Sequence, residues 1–386
     1  MINLPDKNGQ LEPYTLSRPT NYAPPTKPFS SRTLYAAAHV VADAEADNGD
    51  GKPAVLDWEK TLAFRHHLWR YGFGGAEAMD TAQRGFGLDW TATKELIRRS
   101  VAEAKRVDGL IACGAGTDQL GDDYSRFSLD DVVAAYEEQV DYIESCGGRI
   151  ILMASRALAA VADTSDEYVK VYGHLLSKVK EPVILHWLGD MFDPHLKGYW
   201  GSEDWRAAGE TLLKIIRDHV DKVDGMKMSL LDAEKEIYLR RQLPSSIKMY
   251  TGDDFNYDVL IKGDEKGFSH GLLGIFDPIA PAAAAAMGAL EAGDTETFER
   301  ILAPTVPLSR HIFETPTFYY KTGIVFLAYL NGQQDHFEMV GGLADKRSLE
   351  HLVELFKLAD KAGLLSNPEL AVERMEKVLE SRTVTT

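Results

Sequence analysis

The sequence predicts a (β/α)₈ TIM barrel with a C-terminal helical extension. Short apolar runs alternate with longer segments of 3.6-residue periodicity, and there are eight such runs. Several of them are apolar without strict alternation, as strands buried on both faces are. No Gly-x-Gly-x-x-Gly turn opens the first unit, which disfavours the main competitor, an open doubly wound sheet that binds a dinucleotide. The expected organisation is an N-terminal arm over residues 1–32, a barrel over 33–293 and helices over 294–386.

In chain order, Pro5, Pro13, Pro19, Pro24, Pro25 and Pro28 predict an irregular arm. Leu34–Val41 reads as the first strand. Asp57 reads as the N-cap of a helix reaching Arg70. Further strands are expected at Gly75–Met79, Gly109–Cys113, Arg149–Met153, Pro182–His186, Val223–Met228, Ile247–Tyr250 and Gly271–Phe276. Helices are expected between them, at Thr91–Lys105, Leu129–Ile143, Asp166–Val179, Glu203–Val220 and Leu230–Gln242. From Asp294 the pattern becomes helix after helix: Thr295–Leu302, Leu308–Leu330, Ser348–Ala362 and Asn367–Leu379.

The chain has 386 residues, 45% of them hydrophobic, enough for a large core. A formal net charge of −17 argues against binding to nucleic acid or to anionic membranes. Two cysteines, Cys113 and Cys146, make no disulfide framework and fit a reducing, cytoplasmic setting. The N-terminus lacks the basic start and apolar run of a signal peptide. No run approaches the ~18 apolar residues of a membrane span. The partners expected are a small-molecule carbonyl substrate and further copies of the chain in a homo-oligomer; no cofactor is expected.

Catalytic residues of such barrels sit at the C-terminal ends of strands. The polar residues there are His39, Asp80 and Thr81, Ser155 and Arg156, His186, Lys227 and Ser229, Asp253 and Asp254, and Asp277. Lys227 stands out, because it ends an apolar run, Val-Asp-Gly-Met-Lys-Met-Ser. Desolvation lowers the pKa of a lysine, and an uncharged amine attacks carbonyls to form an imine. A lysine paired with an interior carboxylate fits the same pattern. Asp80 fits pairing with Lys227 or capping of the next helix; Asp253 and Asp254 read as caps of the seventh helix. Arg156 fits an anion clamp or a rim salt bridge. Phe192, Tyr199, Trp200 and Trp187 fit closure over a sugar-like ligand or plain packing.

Three stretches together resemble the dihydrodipicolinate synthase / N-acetylneuraminate lyase superfamily. The run DGMKMS is similar to that family's Gly-x-Lys-x-Ser segment, which holds a Schiff-base lysine. Met249 to Pro281 is similar to its passage from the seventh to the eighth strand, with a Gly-Asp-Asp turn and a Gly-rich strand. The tail, TPTFYYKTGIVFLAYLNG and then GGLADKRSLEHLVELFKLADKAGLL, is similar to its C-terminal helices. The resemblance runs from about Leu34 to Leu365. It implies a class I aldolase-type carbon–carbon lyase or synthase acting through Lys227 on a 2-oxo acid or keto-sugar-like substrate.

The departures are as informative. Where the family has Gly-Thr-Thr-Gly-Glu, this chain has Met79-Asp80-Thr81-Ala82-Gln83-Arg84-Gly85, and only Thr81 remains to bind substrate. Where the family has a proton-relaying tyrosine, this chain has His186, an acid/base of suitable type. The resemblance and the strand ends together give Lys227, His186 and Asp80 as catalytic, and Thr81, Arg156, Ser229 and Asp253 as substrate-binding. Dihydrodipicolinate synthesis itself is not expected. The rivals are a metal-dependent lyase or isomerase using His39, Asp80 and His186, with Asp190 and His195 as further ligand types, and a non-catalytic barrel that binds a small molecule.

Overall fold

Two N-terminal strands, β1 (Ile2–Pro5) and β2 (Leu11–Tyr14), precede eight barrel strands. These are β3 (Leu34–Ala37), β4 (Gly74–Glu77), β5 (Ile111–Ala115), β6 (Arg149–Leu152), β7 (Val183–Leu188), β8 (Val223–Ser229), β9 (Lys248–Thr251) and β10 (His270–Leu273). In the computed structural model, which describes residues 1–6 and 8–383, β3 to β10 pair in parallel and close on themselves, β10 against β3. The outer helices are α1 (Trp58–Arg70), α2 (Trp90–Val107), α3 (Leu129–Cys146), α4 (Arg156–Val161), α5 (Ser165–Lys178), α6 (Trp205–Asp218), α7 (Ala233–Arg240), α8 (Tyr257–Lys262) and α9 (Phe276–Glu291). The extension holds α10 (Thr295–Leu302), α11 (Thr305–Ile312), α12 (Tyr320–Leu330), α13 (Leu349–Lys361) and α14 (Pro368–Thr383). Among the described residues no helix is long and apolar enough to cross a membrane.

The barrel interior is filled by uneven side chains. Ala37, Ala76 and Ala112 pack there with Tyr35, Ile151, Ile184, Tyr250 and Leu272. The rings of Tyr35 and Tyr250 meet edge-on at 6.0 Å. Gly74 makes room for them: a Cβ there would come within 2.7 Å of the Tyr35 ring. Outside the barrel, helix starts follow their capping residues. Asp57 accepts from the Lys60 N–H at 3.0 Å, as its sequence position predicts, and Ser128 with Asp131 forms a capping box on α3.

Three expectations are corrected. The arm is not irregular at its start. β1 and β2 form an antiparallel hairpin, its turn closed by the Asp6 carboxylate accepting from Asn8 and Gln10 N–H groups. Pro5 ends one strand and Pro13 sits on a two-stranded ribbon, where a missing donor is tolerated. The hairpin docks through buried Ile2 and Leu4 and through the Tyr14 hydroxyl, which donates to Asp360 on α13 at 2.8 Å. The last barrel strand stops at Leu273, and Phe276 and Asp277 already belong to α9. The long helix expected over Leu308–Leu330 is two helices, because Pro316, with no N–H to donate, lies in the connection between α11 and α12.

A buried ion pair ties the helix layer to the barrel. The Arg65 guanidinium of α1 donates to both oxygens of Glu77 on β4, each at 2.8 Å, and both side chains are sealed from water. The same guanidinium bonds the carbonyls of Thr61 and His39. Breaking such a pair from one side strands a charge in the interior, which costs about 3–5 kcal/mol. Arg65→Ala is therefore expected to lose about that much in urea unfolding, and Arg65→Leu with Glu77→Leu to recover most of it. Equal losses in the two variants would show that the volume of the side chains, not their charge, holds the joint.

Candidate active site

Lys227 lies near the C-terminal end of β8 on the inward face. Its register partners are His186 on β7 and Tyr250 on β9. It is buried, and burial pulls its amine below the usual lysine pKa, with Asp80 and Asp254 pulling the other way. Its stem passes beside Gly252, where a Cβ would sit 2.8 Å from Lys227 Cε. His186 is sealed from solvent. Burial and the Lys227 charge hold its pKa well below the ordinary histidine value, so the ring is neutral. Its Nε2 lies 3.3 Å from Ser229 Oγ, and its Nδ1 has no partner.

The two carboxylates differ. Asp80 sits in a single 3₁₀ turn, Asp80–Ala82, beyond β4. Burial pushes its pKa up, but the charges of Lys321 and Lys227 outweigh this and hold it below the usual value. Asp254 is buried, and burial pushes its carboxyl up to about 8, although an N–H from Ile275 at 2.8 Å and the Lys227 charge oppose the shift. At neutral pH the lysine thus has one ionised and one protonated carboxyl around it. Asp254 does not cap α8, as the sequence predicted; its side chain turns into the barrel.

The extension completes the site. Tyr320, the first residue of α12, donates to Asp80 Oδ2 at 2.7 Å, and its hydroxyl lies 2.7 Å from Thr81 Oγ1. Its ring stacks on Phe313 at 4.4 Å and meets Phe192 edge-on. The next residue, Lys321, is buried too; burial lowers its pKa to about 8 against the opposing charges of Asp80 and Asp193. Its ammonium sits 4.5 Å from the centre of the Phe86 ring. Sequence reasoning missed Tyr320 and Lys321, because they lie in the tail. A signal was present: α12 is buried along its whole length, and a lysine in so apolar a helix is uncommon without a partner.

The other sequence-predicted residues divide. Arg156 opens α4 and pairs with Asp193, and Ser229 lies against His186. Asp253 accepts from the N–H groups of Phe255 and Asn256 and from the Asn256 side chain, and so builds the turn that follows β9. His39 turns away from the mouth. Its Nδ1 lies 2.7 Å from Asp277, and its ring packs on Phe64 of α1. His39, Asp80 and His186 therefore do not converge on one ion: among the described residues the one such group is His311, Glu314 and His351. His195 is exposed and paired with Asp193. Tyr199 and Trp200 pack against Tyr168 and Tyr172 in the helix layer; only Phe192 of that aromatic set borders the mouth.

A cavity of about 1060 Å³ opens above these groups. Asp80, Arg156, Ser155, Phe86, Leu188 and Phe192 are on its wall. Lys227, His186 and Asp254 are buried and are not among the residues that line it.

This fold is shared with solved dihydrodipicolinate synthases. One is a monomeric variant, with 16% identity, a TM-score of 0.64, and coverage of 88% of this chain and 100% of that one. The enzyme from Thermotoga maritima matches at 16% identity and a TM-score of 0.64, covering 86% of this chain and 99% of its own. YagE, a prophage protein of the same family from E. coli K12 solved in complex with pyruvate, matches at 12% identity and a TM-score of 0.65, over 86% and 99% of the two chains. The resemblance read from the sequence thus holds at the level of the fold. The chain itself belongs to the family described as Protein of unknown function (DUF993), whose model matches residues 2–384. No curated protein matches it.

The raised pKa of Asp254 has a measurable consequence. A carboxyl held neutral to about pH 8 in the fold, but ionising near 3.8 when unfolded, contributes stability that is complete below the lower value. That stability is lost as pH rises through the upper one. Asp254→Asn keeps the neutral form at every pH. Its stability relative to the parent, from urea unfolding at about pH 5 and pH 8, is expected to rise by on the order of 1 kcal/mol per unit. A difference that stays flat with pH would mean that Asp254 is ionised in the fold.

Proposed function

We propose that the protein is a class I aldolase-type lyase or synthase in which Lys227 forms an imine with a 2-oxo acid or a keto-sugar-like substrate. The observation that carries this reading is a desolvated lysine on the inward face of a barrel strand, with one ionised and one protonated carboxyl acting on it. The Lys227 amine adds to the carbonyl carbon, and the carbonyl oxygen takes one proton from the amine nitrogen and one from the Asp254 carboxyl and leaves as water, giving the protonated imine and the Asp254 carboxylate. Asp80 balances the charge of the protonated imine. The imine then draws electrons from the adjacent carbon–carbon bond, or accepts them when the bond forms in the other direction. His186, neutral and hydrogen-bonded to Ser229, moves the proton at the neighbouring carbon. The Tyr320 hydroxyl, whose pKa burial and Asp80 push well above the ordinary value, stays protonated and orients Asp80. Pyruvate bound to YagE supports a 2-oxo acid as the first substrate class to test.

A second reading, a barrel that binds a small molecule without chemistry, is favoured by one observation: Lys227 is not among the residues that line the cavity. One experiment separates the two. The protein is incubated with pyruvate and longer 2-oxo acids, reduced with borohydride and digested for mass spectrometry. The imine reading expects an adduct on Lys227 alone, and none in Lys227→Arg, whose guanidinium stays protonated. An adduct on Lys321 would move the chemistry to the other buried amine. Saturable binding with no adduct would favour the binding barrel.

A further inference from the structure

The cavity is larger than imine formation on a small oxo acid requires. At about 1060 Å³ it stands at the top of the range of small-molecule pockets, about 300–1000 Å³. Its charged groups act on one another in sequence. Asp80 acts on Lys227. Lys321 is under the charges of Asp80, Asp193 and Arg156. The Phe86 ring borders the last two cations, with its centre 4.5 Å from the Lys321 ammonium and 5.3 Å from the Arg156 guanidinium carbon. The chain of charges thus runs Lys227, Asp80, Lys321, Arg156, and Asp80, Phe86 and Arg156 all face the cavity.

Arg156 is fixed at one edge and open at the other. A guanidinium offers five N–H donors in a rigid planar fork. Nε donates to Asp193 at 2.5 Å. That carboxylate is shared, because it also accepts from the His195 N–H at 3.1 Å and lies 3.0 Å from the His195 ring. Beside the terminal nitrogens is Gly85, at φ +72°. A Cβ there would stand 3.5 Å from both Nη1 and Nη2, so the missing side chain leaves that edge of the fork uncovered. Asp122 approaches Nη1 only to 3.7 Å, and its side chain is 89% exposed. The same Asp122 oxygen accepts from the Tyr124 hydroxyl at 3.2 Å. An exposed ion pair at that separation contributes little, so Asp122 is a replaceable anion.

We propose that the terminal nitrogens of Arg156 bind a second oxyanion of the substrate, a carboxylate or a phosphate at the end away from the reacting carbonyl, and that this anion displaces Asp122. The planar fork matches two oxygens of either group. The substrate is then an oxo acid with two anionic ends, and not a neutral sugar. The inference rests on the imine reading for the carbonyl end of the ligand; the anionic end is tested without it.

The test uses the full-length protein and four probes: 2-oxohexanedioate, 2-oxohexanoate of the same chain length, glutarate and inorganic phosphate. Affinities are measured by calorimetry, and adducts by borohydride reduction and mass spectrometry. The dianionic oxo acid is expected to bind at least about tenfold tighter than the monoanionic one, the worth of one charge-assisted pair. Arg156→Gln is expected to erase that preference. Asp122→Asn, which removes the competing carboxylate, is expected to tighten the dianion by about two- to fivefold. A purely structural Arg156–Asp193 pair predicts neither the loss of preference nor the opposite shift. Competition by glutarate or by phosphate identifies which oxyanion the fork prefers. Equal affinities for the two oxo acids, with no Arg156-dependent binding of phosphate, would overturn the proposal. A dianion preference that survives Arg156→Gln would overturn it too. If Arg156→Gln fails to fold, Asp122→Asn decides, and unchanged affinity there overturns the proposal. Arg156-dependent glutarate or phosphate binding without an adduct on Lys227 would leave this inference standing and remove the imine. A pyruvate adduct on Lys227 with no Arg156-dependent anion binding would do the reverse.

Discussion

The constraint on which the barrel mouth depends is the cost of holding amines away from water. An uncompensated interior charge costs several kcal/mol, so a buried lysine must find an anion or shed its proton. Lys227 and Lys321 are both buried and both draw on Asp80. Asp254 adds little negative charge near neutrality, because burial holds its carboxyl protonated to about pH 8. Asp80 is thus shared by two amines, with Asp193 also acting on Lys321, and burial still lowers both lysine pKa values. These groups titrate together, so the proton belongs to the set and not to any one residue.

That arrangement makes the C-terminal helices part of the site. Without Tyr320 the Asp80 carboxylate would lose the hydroxyl that donates to it at 2.7 Å, and without Lys321 it would lose the larger of the two lysine charges acting on it. The contact is close because the barrel leaves room for it: a Cβ on Gly274 would come within 3.0 Å of Phe313 and 3.3 Å of the Tyr320 ring. A boundary at residue 294 therefore separates two stretches of sequence pattern but cuts through one set of hydrogen bonds.

What was legible in the sequence follows from the range of the forces involved. Strands and helices follow local periodicity, so all eight strand positions, the Asp57 cap and the inward lysine could be read from the chain. Strand ends slipped by a few residues, as at Phe276, because the end of a strand depends on pairing with neighbours far away in sequence. The hairpin at β1 and β2 was missed, since its reason for forming is the α13 surface more than 340 residues on. Side-chain direction at a strand end was the least legible feature. His39 and Asp254 occupy equivalent places in the pattern. One turns outward to Asp277 and the other inward to Lys227, and only the packing of α1 and α9 decides which.

The relation between the lysine and the cavity follows from the pleat of β7 and β8. Inward residues alternate along each strand, so Leu188 and its register partner Ser229 stand one inward layer above His186 and Lys227. Leu188 is on the cavity wall and Lys227 is not. The lysine stem nevertheless climbs. A Cβ on Gly252 would meet both Lys227 Cε and Ser229 Oγ, which places the end of the stem at the level of Ser229. A long flexible side chain rooted one layer down thus carries its end to the level of Ser229, while its Cα stays in the packed core. Gly252 has no side chain for the same reason that Lys227 has a long one: the space between β8 and β9 at that level is occupied by the stem. The depth that desolvates the amine and the reach that brings it toward the cavity are one geometric fact.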